Sequence, residues 1–192
     1  TAFERSQAWQ ILQTKQRLPW RQTWVSYSKI SDQLKRAVIV SEDDIFAQHD
    51  GVQWEAIEKA WTKNAKAELQ ASRAAQKNPS VKVVGGSTIT QQLAKNLFLA
   101  GERTFLRQGQ EFVLTLMLEA LLPKQRILEL YLNHVEWGEG IFGAEAAAQH
   151  YFSKSAYQLS PWEAGRLAVM LPRPKHYQKF PSSEYLAGRT EI

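Results

Sequence analysis

The feature that most constrains this chain is its long apolar stretch, residues 112–122, interrupted only by Thr115 and Glu119. It falls short of the roughly 20 apolar residues needed to span a bilayer, so it reads as a buried helix. Extended back to residue 108, it is the candidate central core helix. Other helices announce their own ends. Ser160, Pro161, Trp162 and Glu163 combine an N-cap serine, a proline at the first helical position and a glutamate three residues after the cap. Ala164, Leu167, Ala168 and Leu171 then recur at helical spacing until Pro172 stops the run. A helix is expected from near Pro123, with Ile127, Leu128, Tyr131 and Leu132 as its apolar stripe. Another should begin after Ser31 and end in residues 41–44. Only residues 80–84 suggest an extended piece, so the fold class is mainly α.

The 192 residues carry a net charge of +5, which favours an anionic partner: nucleic acid, acidic lipid or a phosphorylated substrate. The basic residues are scattered and form no recognisable nucleic-acid motif, which argues against nucleic acid. The absence of cysteine excludes a disulfide scaffold and any Cys-ligated metal. The four histidines show no metal-site spacing, which argues against a zinc hydrolase. Residues 59–82 hold six basic side chains against one acidic, with Trp61 and Leu69 their only large apolar residues, and read as a weakly anchored, mobile segment. The chain starts without Met and without a signal peptide, which suggests a domain parted from its anchor.

Against this basic background, Glu42, Asp43, Asp44, Asp50, Glu55 and Glu58 fall in a stretch without Lys or Arg. Three acids at a helix C-terminus oppose the macrodipole. Crowded, partly buried carboxylates raise one another's pKa, which suits Glu42 to general-base work near neutral pH. The alternatives are a solvated acidic turn or a cation site. His49 reads as a structural hydrogen-bonding residue. Further on, Gly85 and Gly86 open a helix that Ser87 or Thr88 can cap, with Ile89, Leu93 and Leu97 as its buried stripe. Thr88, Gln92 and Lys95 form a second line flanked by Gln91 and Asn96. This is either an ordinary capped helix with a solvated face or an anion site. Arg107 and Glu111 make either a routine i,i+4 ion pair or, with Lys95 and Arg103, a phosphate-binding set carrying a second carboxylate.

Four blocks in order, residues 41–51, 85–96, 107–111 and 124–133 (KQRILELYLN), resemble the glycosyltransferase domain of bacterial peptidoglycan synthases, most closely the monofunctional transglycosylases. Residues 136–138 and 143–147 extend the likeness, which covers about residues 30–175. Three positions depart from the commonest pattern: Gln53 stands where Asp usually does, Asp44 where a basic or small residue is frequent, and Gln108 where Lys usually follows the arginine.

The resemblance implies a helical fold related to lysozyme over residues 1–192. A large lobe would be joined by a smaller, mobile, membrane-facing lobe of about residues 56–84, whose positive charge suits anionic headgroups at about 1 kcal/mol per basic residue. It implies polymerisation of lipid II onto a lipid-linked glycan strand at the periplasmic side of the inner membrane. Glu42 and Glu111 would be the catalytic carboxylates. Ser87, Thr88, Gln92, Lys95, Asn96, Arg103 and Arg107 would bind sugar and pyrophosphate oxygens. A divalent cation (Mg or Mn) near Asp43, no organic cofactor, and other cell-wall synthesis and division proteins as partners complete the expectation. A lytic transglycosylase or lysozyme-like enzyme and a non-enzymatic anionic-membrane module are the rival readings.

Overall fold

The computed structural model describes residues 1–16, 19–54, 87–99 and 105–190. The expected small lobe, the extended piece at 80–84 and Arg103 lie outside these residues. The helices begin where the chain offers caps. Helix α1 (Ala2–Lys15) is followed by α2 (Asp32–Glu42), whose N-cap Ser31 accepts from the Leu34 amide at 3.2 Å. Helix α3 (Ile89–Phe98) starts in a reciprocal capping box between Thr88 and Gln91. Then come α4 (Phe105–Leu121), α5 (Lys124–His134), which starts directly after Pro123, and α6 (Ala144–Phe152). Helix α7 (Pro161–Met170) carries the Ser160–Glu163 capping box expected from the sequence, and α8 (Pro174–Lys179) and α9 (Glu184–Thr190) close the chain.

A small sheet ties the early chain to the middle. Strands β1 (Arg21–Gln22), β2 (Glu136–Gly138) and β3 (Ile141–Phe142) lie in the order β1-β3-β2, with β1 parallel and β2 antiparallel to β3. The turn between β2 and β3 needs glycine at 140: its φ is +72°, and a Cβ there would sit 2.0 Å from the Pro19 carbonyl oxygen. Beside the sheet, the fully buried Asn133 accepts from the Val25 amide at 2.9 Å and donates to the Val25 carbonyl at 3.0 Å. Its side chain thus replaces a backbone partner for an otherwise unpaired residue.

The core lies where α2 packs on α7 and where α3 packs on α4 and α5. Leu34, Val38, Ile89, Leu93, Ile127, Leu132 and Leu167 are completely buried in it. Each such side chain contributes about 1.5–3 kcal/mol through removal of apolar surface from water.

The expectation that the apolar stretch 108–122 is the central core helix is corrected. The helix forms, but α4 buries only the side carrying Thr115 and Leu118. Val113, Leu116, Met117 and Leu121 point outward, Leu121 with 74% of its surface exposed. The side of α4 turned to α3 and α5 carries Thr115, Leu118 and Glu119, and the apolar residues on its other sides meet no neighbouring helix among the described residues. The central place goes instead to α5, whose apolar residues form a single clean stripe. Among the described residues no helix is long and apolar enough to cross a membrane.

Asn133→Ala leaves the Val25 amide and carbonyl without their side-chain partner. The expected cost is about 1–3 kcal/mol, read as a lowered unfolding midpoint in urea with an unchanged slope.

Candidate active site

Glu42 is the last residue of α2, and its half-buried carboxylate faces α3. Gln92 Nε2 donates to Glu42 Oε2 at 2.8 Å and to the Ser87 carbonyl at 3.2 Å. The other end of that amide, Gln92 Oε1, accepts from the Tyr131 hydroxyl of α5 at 3.0 Å. Burial pushes the Glu42 pKa up. The Gln92 hydrogen bond and the Lys95 charge pull it back, the neighbouring Asp43 adds to the rise, and the net direction is upward. The expected tuning is therefore present, with desolvation and not acid crowding as its main cause.

Asp43, 3% exposed, fastens the chain around this carboxylate. His49 Nε2 donates to Asp43 Oδ1 and Oδ2 at 2.9 and 3.0 Å, Gln53 Nε2 to Oδ1 at 2.9 Å, and the Ile89 amide to Oδ2 at 3.0 Å. The Gly51 amide donates to His49 Nδ1 at 2.9 Å, so the ring proton is on Nε2, where it faces Asp43. The carboxylate thus sits at the N-terminus of α3, where a helix favours negative charge. The compensation that the local sequence lacks comes from 46 residues away.

Two further ties hold the turn after Asp43, and one of them leads on to α4. Thr88 Oγ1 donates to the Gly51 carbonyl at 2.6 Å, and Lys124 Nζ donates to the His49 carbonyl at 2.5 Å and to Glu119 Oε1 at 2.8 Å. Gly51, at φ +85°, leaves no room for a side chain, because a Cβ would come within 2.7 Å of Glu119 and Thr115 on α4. Trp54 meets Phe112 of α4 edge to face, with ring centroids 5.7 Å apart.

The sequence-derived residues divide accordingly. Glu42 and Gln92 form one hydrogen-bonded unit, and Lys95 lies one turn further along α3 with its charge felt at Glu42. Thr88, 2% exposed, has its hydroxyl engaged by the Gly51 carbonyl and by its own helix cap. The Ser87 hydroxyl donates to Gln91 at 3.4 Å, and Asn96 is buried next to Lys95. Arg107 and the half-buried Glu111 lie on the first turns of α4, the helix packed against α3; the hydrogen-bonded unit around Glu42 does not include Glu111.

A divalent cation at Asp43 does not fit, because both oxygens already accept from protein donors. Among the described residues no three His, Asp or Glu side chains form a metal-binding group. Sequence reasoning missed Tyr131, Lys124 and Glu119. The one available signal was a tyrosine on the core stripe of α5, since a buried phenol needs a hydrogen-bond partner.

Residues 10–192 match the sequence profile of the family described as transglycosylase, and the chain belongs to that family. The proteins it resembles include the biosynthetic peptidoglycan transglycosylase of Bordetella avium (strain 197N), 52% identical across all of this chain and 77% of the relative. The same named protein of Janthinobacterium sp. (strain Marseille) is 52% identical over 78% of its own length, and that of Burkholderia thailandensis is 51% identical over 70%.

The contact between Gln53 and Asp43 gives the departure at position 53 a physical role: the amide supplies a donor to a buried acceptor. Gln53→Glu turns that donor into a second acceptor. Destabilisation by about 1–3 kcal/mol is expected, growing as pH rises through the carboxylate range; urea titrations at pH 4.5 and 7.5 measure both.

Proposed function

We propose that this chain polymerises peptidoglycan glycan strands, with a lipid-linked growing strand as donor and lipid II as acceptor. The observation that carries this reading is Glu42: a half-buried carboxylate with a raised pKa, one oxygen held by Gln92 and a lysine charge close by. Glu42 takes the proton of the acceptor GlcNAc 4-hydroxyl as that oxygen attacks C1 of the donor MurNAc. The new C1–O bond forms as the bond from C1 to the pyrophosphate breaks with its electron pair, and the α-linkage inverts to β-1,4. The diphosphate carries away the negative charge, which Lys95, Arg103 and Arg107 receive. Glu111, four residues after Arg107, orients this cationic side. The divalent cation is left to the substrate's own phosphate oxygens, the usual partners of Mg²⁺.

The proposed place of work is the periplasmic face of the inner membrane. A polyprenyl tail stays in the bilayer, so residues that handle its pyrophosphate sit at headgroup depth. The outward side of α4, with Val113, Leu116, Met117 and Leu121 following Arg107, supports that seating. A glycan-cleaving activity would have no use for cations that receive a pyrophosphate, and Lys95 is one whose charge is felt at Glu42.

Glu42→Gln should fold and bind lipid II but lose about 10²–10⁴-fold in polymerisation, the range of general-base catalysis. Near wild-type polymer from labelled lipid II would remove Glu42 from the role. Because the base acts ionised and burial raises its pKa, kcat/KM should fall as pH drops through a value above the ordinary carboxylate range. Release of muropeptides from purified sacculi would instead support cleavage.

Met117→Glu with Leu121→Glu should weaken binding to anionic vesicles by about tenfold or more, given about 0.8 kcal/mol per buried methylene. Because both residues are exposed, the unfolding midpoint should stay in place. Cosedimentation and thermal melts check the two halves of that statement.

A further inference from the structure

We propose that Tyr131 is a positioning residue for Glu42, acting through the amide of Gln92. The inference rests on the reading of Glu42 as the base. Its observation is a continuous chain of hydrogen bonds running from the core to that carboxylate.

Gln92 has two N–H donors and one carbonyl acceptor, and the structure gives each a partner: Glu42 Oε2 at 2.8 Å, the Ser87 carbonyl at 3.2 Å and the Tyr131 hydroxyl at 3.0 Å. Both partners of Nε2 can only accept when Glu42 is ionised. A flipped amide would therefore set its oxygen against a carboxylate and a carbonyl. Those two acceptors set the orientation of the amide, and the Tyr131 hydroxyl, donating to Oε1, anchors its far end. The phenol is 1% exposed, and burial holds its pKa well above the ordinary value, so it stays a protonated donor across the working range. Gln92 is thus occupied at both ends by protein, and its place in the machinery is to hold the base instead of a sugar oxygen. The relay engages one carboxylate oxygen, Oε2.

Among the described residues, the charged and titratable groups facing Glu42 are Lys95 on α3, Asp43 beside it and Tyr131 on α5. Lys95 and Asp43 remain when the phenol is removed, so a change in Glu42 after Tyr131→Phe reports the relay.

The test combines Tyr131→Phe, Gln92→Met and the double variant, read by NMR titration of ¹³C-labelled glutamate and by the pH profile of kcat/KM on lipid II. Tyr131→Phe should move the Glu42 midpoint upward by about one unit, carry the acid limb of kcat/KM with it, and leave KM nearly unchanged. Gln92→Met should do the same with Tyr131 still in place, and the double variant should go no further than Gln92→Met alone. An unmoved Glu42 midpoint in Tyr131→Phe, or effects that add in full in the double variant, overturns the relay. The NMR midpoint reports the carboxylate whatever its role. Full activity of Glu42→Gln therefore sinks the base assignment alone, while additivity sinks the relay alone.

Discussion

The carboxylate of Asp43 is the interaction on which the rest depends. Its acceptors gather a ring nitrogen from His49, an amide from Gln53 and the first amide of α3, three donors that lie up to 46 residues away from it in the chain. A buried charge is costly unless hydrogen-bonded on all sides. This one is surrounded, and so it can join the end of α2 to the start of α3. That junction decides where Glu42 points, because Glu42 is the residue immediately before it.

Two adjacent acids consequently have opposite fates. Asp43 is buried among donors and serves the architecture. Glu42 accepts from the Gln92 amide and has its proton affinity raised by burial. The difference comes from a single step along the chain, where Glu42 ends the helix and Asp43 turns away from it in an extended φ. The apparent excess of negative charge in this stretch is answered in part from afar, by the start of α3 at Asp43.

Much of the scaffold was legible in the sequence because caps and periodicity are local. Ser31, Thr88 and Ser160 start helices where their spacing predicts, and α5 buries the stripe it displays. Burial was less legible. The most apolar segment became α4, half exposed, because hydrophobicity measures what a helix can bury and not what its neighbours offer. The four residues of the α4 face show that the choice among core, lipid and partner is made outside the helix. In the candidate site, Glu42 and Gln92 were named from the sequence and prove to touch. The contacts of Tyr131 and Asp43 were less visible: Tyr131 meets a partner 39 residues distant, and Asp43 takes one of its donors from 46 residues away. Hydrogen-bond chains of that span leave no periodic trace.

The clamp at Asp43 also makes one unit of two distant stretches of chain. Gln53 and the Ile89 amide meet on the same carboxylate, and Thr88 holds the Gly51 carbonyl beside them. The turn after α2 and the first turn of α3 therefore share their fate: loosening one unfastens the other, and Glu42 loses its footing with both.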